Sequence, residues 1–160
     1  MTKITLALAE LYRGERALGR RLTSIAARHH SDQDICHLAQ DLARWSDEHA
    51  QALADRVRGD GGHLPRPAVR QVVTAPLQTW VSDILRHRPE PALLLLADLR
   101  RVHRCAAGVS LDWELLAQAA QATRDDALLD LTKRCHPQTL RQMRWANAML
   151  KELSPQALGV

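Results

Sequence analysis

The sequence predicts an all-α protein: four long helices in a bundle, with one long crossover connection between the second and third. Three observations predict it. Strand signals are nearly absent, since the best candidate, Val69 to Thr74, is broken by Arg70 and Gln71 and keeps only the adjacent pair Val72-Val73. Apolar residues recur at alternating steps of four and three, the repeat of one helix face. Most of the glycine and proline breakers collect in one region.

Helix one is expected from about residue 3 to 29, rich in Ala, Leu and Arg and free of proline. Its seam reads Ile4, Leu8, Leu11, Glu15, Leu18, Leu22, Ile25. Ser31 is the expected cap of helix two, with Asp32 and Asp34 at its positive end. That helix carries the seam Ile35, Leu38, Leu42, Trp45, His49, Leu53 and continues to about Arg58, where Gly59, Gly61 and Gly62 end it. Residues 59–91 form the crossover, which holds Pro65, Pro67, Pro76, Pro89 and Pro91 and a short helix between Pro76 and Arg88. Helix three starts after Pro91, a first-turn proline, and runs to about Ala122 with an irregularity expected at Gly108. Thr123 is the expected cap of helix four, which reaches about Leu153, before Ser154-Pro155. A connection of about 30 residues is long enough to travel the length of a bundle, and is expected to bring helix three back parallel to helix one.

Residues 1–160 suit one domain, and 46% hydrophobic residues argue against disorder. The longest uninterrupted apolar run, Ala92 to Ala97, is far short of a membrane span. Glu10, Arg13 and Glu15 arrive too early for a signal peptide, so a cytoplasmic location is expected. Cys36, Cys105 and Cys135 are odd in number and widely spaced, as for small buried hydrophobes rather than a disulfide framework or a paired-cysteine zinc site. The net charge of +4 is nearly all arginine, with local knots at Arg100-Arg101-Arg104 and Arg86-His87-Arg88. Solvated helix faces account for it. With no Phe and one Tyr the chain lacks stacking aromatics, so a nucleic-acid partner is not expected.

The informative departures are Glu15 and His49, a carboxylate and an imidazole where the seams call for leucine. A short turn makes the first two helices antiparallel and brings both residues within about one helical turn of the same height. Burying a carboxylate without a partner costs several kcal/mol, and an unpaired imidazole roughly 1–3 kcal/mol. The two therefore point to a partner inside the core: each other, or a metal.

Tyr12-Arg13-Gly14-Glu15-Arg16-Ala17 resembles the first-helix motif of rubrerythrin-like relatives of ferritin, which carries a metal-binding glutamate. The stretch from Asp41 to Ala50 resembles their second-helix ExxH region. The resemblance covers about 45 residues. It implies a ferritin-like four-helix bundle and a di-iron or di-manganese centre, with oxygen or peroxide chemistry or iron storage. Glu15 and His49 match the motif, but Ser46 stands where the bridging glutamate belongs, and Glu48 points roughly 100° away from His49.

The second half departs further. Helix four offers Lys133 where a glutamate belongs, before Cys135 and His136, and helix three offers Asp98 and His103. Counted from the turn at Thr123, His103 and His136 differ in height by roughly 10 Å. A di-metal carboxylate centre draws on four glutamates and two histidines. The candidate ligands here are Glu15, His49, His103 and His136, enough at most for a single Zn, Fe or Mn ion. The simpler reading is no cofactor and a charge-assisted Glu15–His49 pair, joined by Ser46, water or an arginine; a third is that one or both side chains face outward. Cys135 and His136 diverge as helix neighbours, which disfavours a thiol nucleophile. Trp45, Trp113 and Trp145 fall at apolar spacings as core or interface anchors, and His29-His30 suits the negative end of helix one.

The expected function is a non-catalytic bundle with an eroded di-metal site, serving interaction or assembly. A second copy or another protein is the expected partner; Leu93 to Leu96 cannot all face one core, so some are expected to meet the crossover or a partner subunit. The alternatives are a metal-binding oxidoreductase or metal-handling protein with a reduced Glu/His site, and a basic nucleic-acid adaptor.

Overall fold

The computed structural model describes residues 2–64 and 90–159. The middle of the crossover, with its expected short helix and the Arg86-His87-Arg88 knot, lies outside the described residues. Four helices account for the rest: α1 (Lys3–Arg28), α2 (Gln33–Gly59), α3 (Pro91–Thr123) and α4 (Asp126–Ala157). The protein is an all-α four-helix bundle, and there is no strand among the described residues. None of the described helices is long and apolar enough to cross a membrane.

The caps differ by a residue or two from the expected ones, each time in favour of a carboxylate. Asp32, not Ser31, caps α2, accepting the Ile35 amide at 3.1 Å. Asp125, not Thr123, caps α4, accepting the Leu128 amide at 3.0 Å. A carboxylate there satisfies an orphan N–H and also meets the positive helix end with a full charge. Thr123 instead closes α3, its hydroxyl donating to the Ala119 carbonyl, and Arg124 takes a left-handed turn at φ 55°. The irregularity expected at Gly108 is absent, because α3 runs through it unbroken. Pro137 and Pro155 both lie inside α4, which extends to Ala157 rather than stopping at Leu153. Both prolines are exposed, so water can reach the carbonyls their missing N–H groups leave unpaired.

Cross-helix contacts set the directions. Glu15 meets His49 and Arg16 meets Asp47, so α1 and α2 are antiparallel. Arg28 meets Asp98 while Glu15 meets Trp113, so α3 descends along α1 as α1 rises. Arg56 meets Asp125 while Gln142 meets Leu42, making α2 and α4 antiparallel too. Helix three is therefore antiparallel to helix one, contrary to the expectation. The reason is topological: α2 ends beside the start of α4, whereas α3 starts beside the end of α1, at the other end of the bundle.

Leucines and other aliphatic residues from all four helices fill the core, including Leu11, Leu18, Leu53, Leu99, Leu116 and Leu128. In the leucine run of α3, Leu95 and Leu96 are buried while Leu93 and Leu94 are partly exposed. The most exposed leucines of α3 lie further along, Leu111 at 60% and Leu115 at 68%. Two glycines pull α1 close to its neighbours around position 15. A Cβ on Gly14 would stand 3.0 Å from Val109 Cγ2 of α3, and one on Gly19 would stand 3.4 Å from Ser46 Cβ of α2.

Candidate functional site

Glu15 sits in the middle of this closely packed region, with no solvent exposure. Its Oε1 accepts three hydrogen bonds, one from each of the other helices. His49 Nδ1–H of α2 donates at 2.9 Å, Trp113 Nε1–H of α3 at 2.7 Å, and the Thr139 hydroxyl of α4 at 3.2 Å. One carboxylate oxygen thus ties the whole bundle together at one level. The close approach at Gly14 is what lets α3 bring its tryptophan within reach.

His49 is nearly as buried and uses both ring nitrogens. Its Nε2–H donates to Gln138 Oε1 at 2.7 Å, opposite the bond to Glu15. Two oxygen acceptors, one on each side, call for a ring carrying both protons. Burial pushes its pKa down, but the bond to Glu15, the Glu15 charge and the bond to Gln138 outweigh it and leave the pKa raised above 6.5. The ring of Trp113 stands edge-on to the His49 ring, with centroids 5.9 Å apart and planes at 84°. The centre is thus a buried histidine–carboxylate pair enclosed by an indole, an amide and a hydroxyl.

Ser46, at the position of the missing bridging glutamate, does face the core and is fully buried. It accepts the Gln142 amide at 2.9 Å, and the same nitrogen donates to the Leu42 carbonyl at 2.8 Å. Glu15 Oε2, Gln142 Oε1 and Trp145 Nε1 are buried without a hydrogen-bond partner among these groups.

The four candidate ligands separate into one pair and two single residues. Glu15 and His49 meet. His103 Nδ1 donates to the Met143 carbonyl at 3.2 Å, and His136 shares a 2.8 Å hydrogen bond with the Ser110 hydroxyl. Ser110 lies seven residues beyond His103, which at 1.5 Å per residue is about 10 Å along α3, as the height count anticipates. Asp98 lies some 22 Å along the same helix from Trp113, bound to Arg28 and His29. Among the described residues no three His, Cys, Asp or Glu side chains group so as to hold an ion. A di-metal carboxylate centre does not fit the donors around Glu15. They supply one carboxylate, and both ring nitrogens of His49 already face side-chain oxygens.

Nor are the Cys105 and Cys135 thiols activated. Burial and the Glu15 charge push Cys135 up to about 12, and burial likewise raises Cys105 despite Arg21 nearby.

Sequence reading missed Thr139, Gln142 and Gln138, and took Trp113 for an apolar anchor only. The signal for two of them was present. The buried face of α4 steps through Leu128, Leu131, Cys135, Thr139, Gln142 and Ala146, so Thr139 and Gln142 interrupt a seam just as Glu15 and His49 do. Comparison of this chain with family models, with curated proteins and with solved structures finds no match.

Proposed function

We propose that this chain is a ferritin-like four-helix bundle in which a structural ion pair occupies the position of the family's metal centre. It then works by interaction or assembly rather than by catalysis. One observation carries the reading: Glu15 Oε1 is filled by N–H and O–H donors from three helices, and both nitrogens of His49 are spent on oxygen acceptors. An ion on Glu15 and His49 would have to displace protons already held by good acceptors in a dry site. The up-down-down-up order of the helices supports the ferritin-like reading. The exposed pair Leu111 and Leu115, one turn apart on α3, supports association with a second copy of the chain. Three free thiols support a reducing, cytoplasmic setting.

The test is metal analysis of protein purified without chelator and then loaded with iron, manganese or zinc. The reading expects no stoichiometric metal. Stoichiometric metal that disappears in His49→Ala would replace it with a metal-binding oxidoreductase or metal-handling protein.

A further inference from the structure

At the end of the bundle where α1 finishes and α3 begins, a groove of about 260 Å³ opens between the two helices. Its lining carries four guanidinium groups, those of Arg20, Arg21, Arg28 and Arg101, and one carboxylate, that of Asp98. Ala17 and Ser24 supply the small side chains between them. On α1 the residues 17, 20, 21, 24 and 28 fall on one face by helical repeat, so the fold gathers these arginines rather than spreading them.

Asp98 is buried and fully engaged. Arg28 Nη1 donates to both of its oxygens at 3.0 and 3.1 Å, His29 Nε2 lies 2.9 Å from Oδ2, and Arg101 Nη1 reaches Oδ1 at 3.4 Å. Arg28 and Arg101 each spend only Nη1 on these bonds, and among the described residues their other N–H groups meet no carboxylate. Arg20 and Arg21 have no carboxylate partner among the described residues; Arg21 instead reaches the Cys105 thiol of α3.

Four cations elsewhere on the surface follow a different rule. Arg13 pairs with Glu10, Arg44 with Asp41, Arg58 with Asp55 and Lys133 with Asp130, each cation three residues after its acid. No acid stands three or four residues from Arg20 or Arg21 on either side. Four guanidiniums around one neutralised carboxylate repel one another unless an anion joins them, and a cleft concentrates that field. Guanidinium forks match the oxygens of a phosphoryl group, and the groove is smaller than the ~300–1,000 Å³ typical of larger organic ligands.

We propose that this groove binds a small phosphate-class oxyanion, either inorganic phosphate or the phosphoryl group of a small metabolite. The proposal is independent of the reading of the buried centre. It is tested by calorimetric titration of the full-length chain with inorganic phosphate, pyrophosphate and glycerol phosphate at constant ionic strength. Saturable one-to-one binding of at least one probe is expected, weakened at least tenfold in Arg20→Ala/Arg21→Ala and unchanged in Arg144→Ala. Arg20→Lys/Arg21→Lys, which keeps charge but loses the forks, is expected between the two. Equal affinity for phosphate and glycerol phosphate would support the proposal with free phosphate as a sufficient ligand; tighter glycerol phosphate would support it with an organic phosphate as the source. Circular dichroism and Tm of each variant separate lost binding from lost folding. The proposal is overturned if no probe saturates, if Arg144→Ala weakens binding equally, or if single-stranded DNA binds while none of the three small anions does.

Discussion

Glu15 and Asp98 are both buried carboxylates, and each has a histidine nitrogen 2.9 Å away. Beyond that pair they differ in every neighbour. Glu15 Oε1 is completed by neutral donors, an indole and a hydroxyl, beside a single histidine ring, with no further cation alongside among the described residues. Asp98 is completed by two arginines, with two more arginines alongside, so the surrounding charge exceeds what it can balance. The first arrangement is shut off from solvent and held by donors from three helices. The second is open and over-supplied with one sign of charge. The same residue pair thus serves as a rivet in the middle of the bundle and as an anchor for cations at its end.

Removing the two acids should break this comparison most sharply. Glu15→Ala leaves an imidazolium, an indole N–H and a hydroxyl unpaired in a dry core, and is expected to cost about 3–5 kcal/mol in urea unfolding. Asp98→Ala is expected to cost less than half as much, because its arginines can turn into water. Equal costs would show that the two sites are not different in kind.

Packing should separate the regions next. Gly14→Ala forces a Cβ to 3.0 Å from Val109 beside the rivet and is expected to cost about 1–3 kcal/mol. Gly108→Ala, on the same stripe of α3 as Arg101 with nothing within 4 Å, is expected to stabilise by about 0.5–1 kcal/mol. Denaturation midpoints of the two variants check both signs.

Changes with pH should be smaller. The pKa of His49 is raised in the folded protein, so its contribution is complete below the unfolded value of about 6.5. That contribution is lost as pH rises through the folded value, and Glu15→Gln should flatten the loss. At the acid end, Arg56 holds the Asp125 carboxyl below its usual range of about 3.8, followed by the Leu128 amide. The stability from that clamp is present above 3.8 and fades as pH falls through the lowered value. Unfolding curves at stepped pH measure both limbs. The weakest effect on folding should come from Leu111→Glu/Leu115→Glu, which is expected to abolish concentration-dependent association in sedimentation velocity with little change in Tm.

How much of this could be read from the chain follows from what each feature depends on. The helices and the Glu15–His49 meeting depend on local repeat and one short turn, both visible in sequence. Thr139 and Gln142 break a seam in the same manner and were equally readable. The hydrogen bond from Trp113 was not, since a buried indole at an apolar spacing looks alike whether or not its N–H is used. His103 and His136 were grouped by residue type, whereas their heights keep them on separate partners. The arginine groove depends on the sense in which α3 runs past α1. Taken as parallel, the helices send Asp98 and Arg101 to the end of the bundle away from Arg28, and the cluster vanishes. Only the observed antiparallel pairing assembles it.

The ring nitrogens of His49 test the core of this account most directly. Nitrogen-15 NMR of the imidazole at pH 6.5 should find both Nδ1 and Nε2 protonated. A ring with one bare nitrogen at that pH, or one whose bare nitrogen shifts on adding zinc, would contradict it.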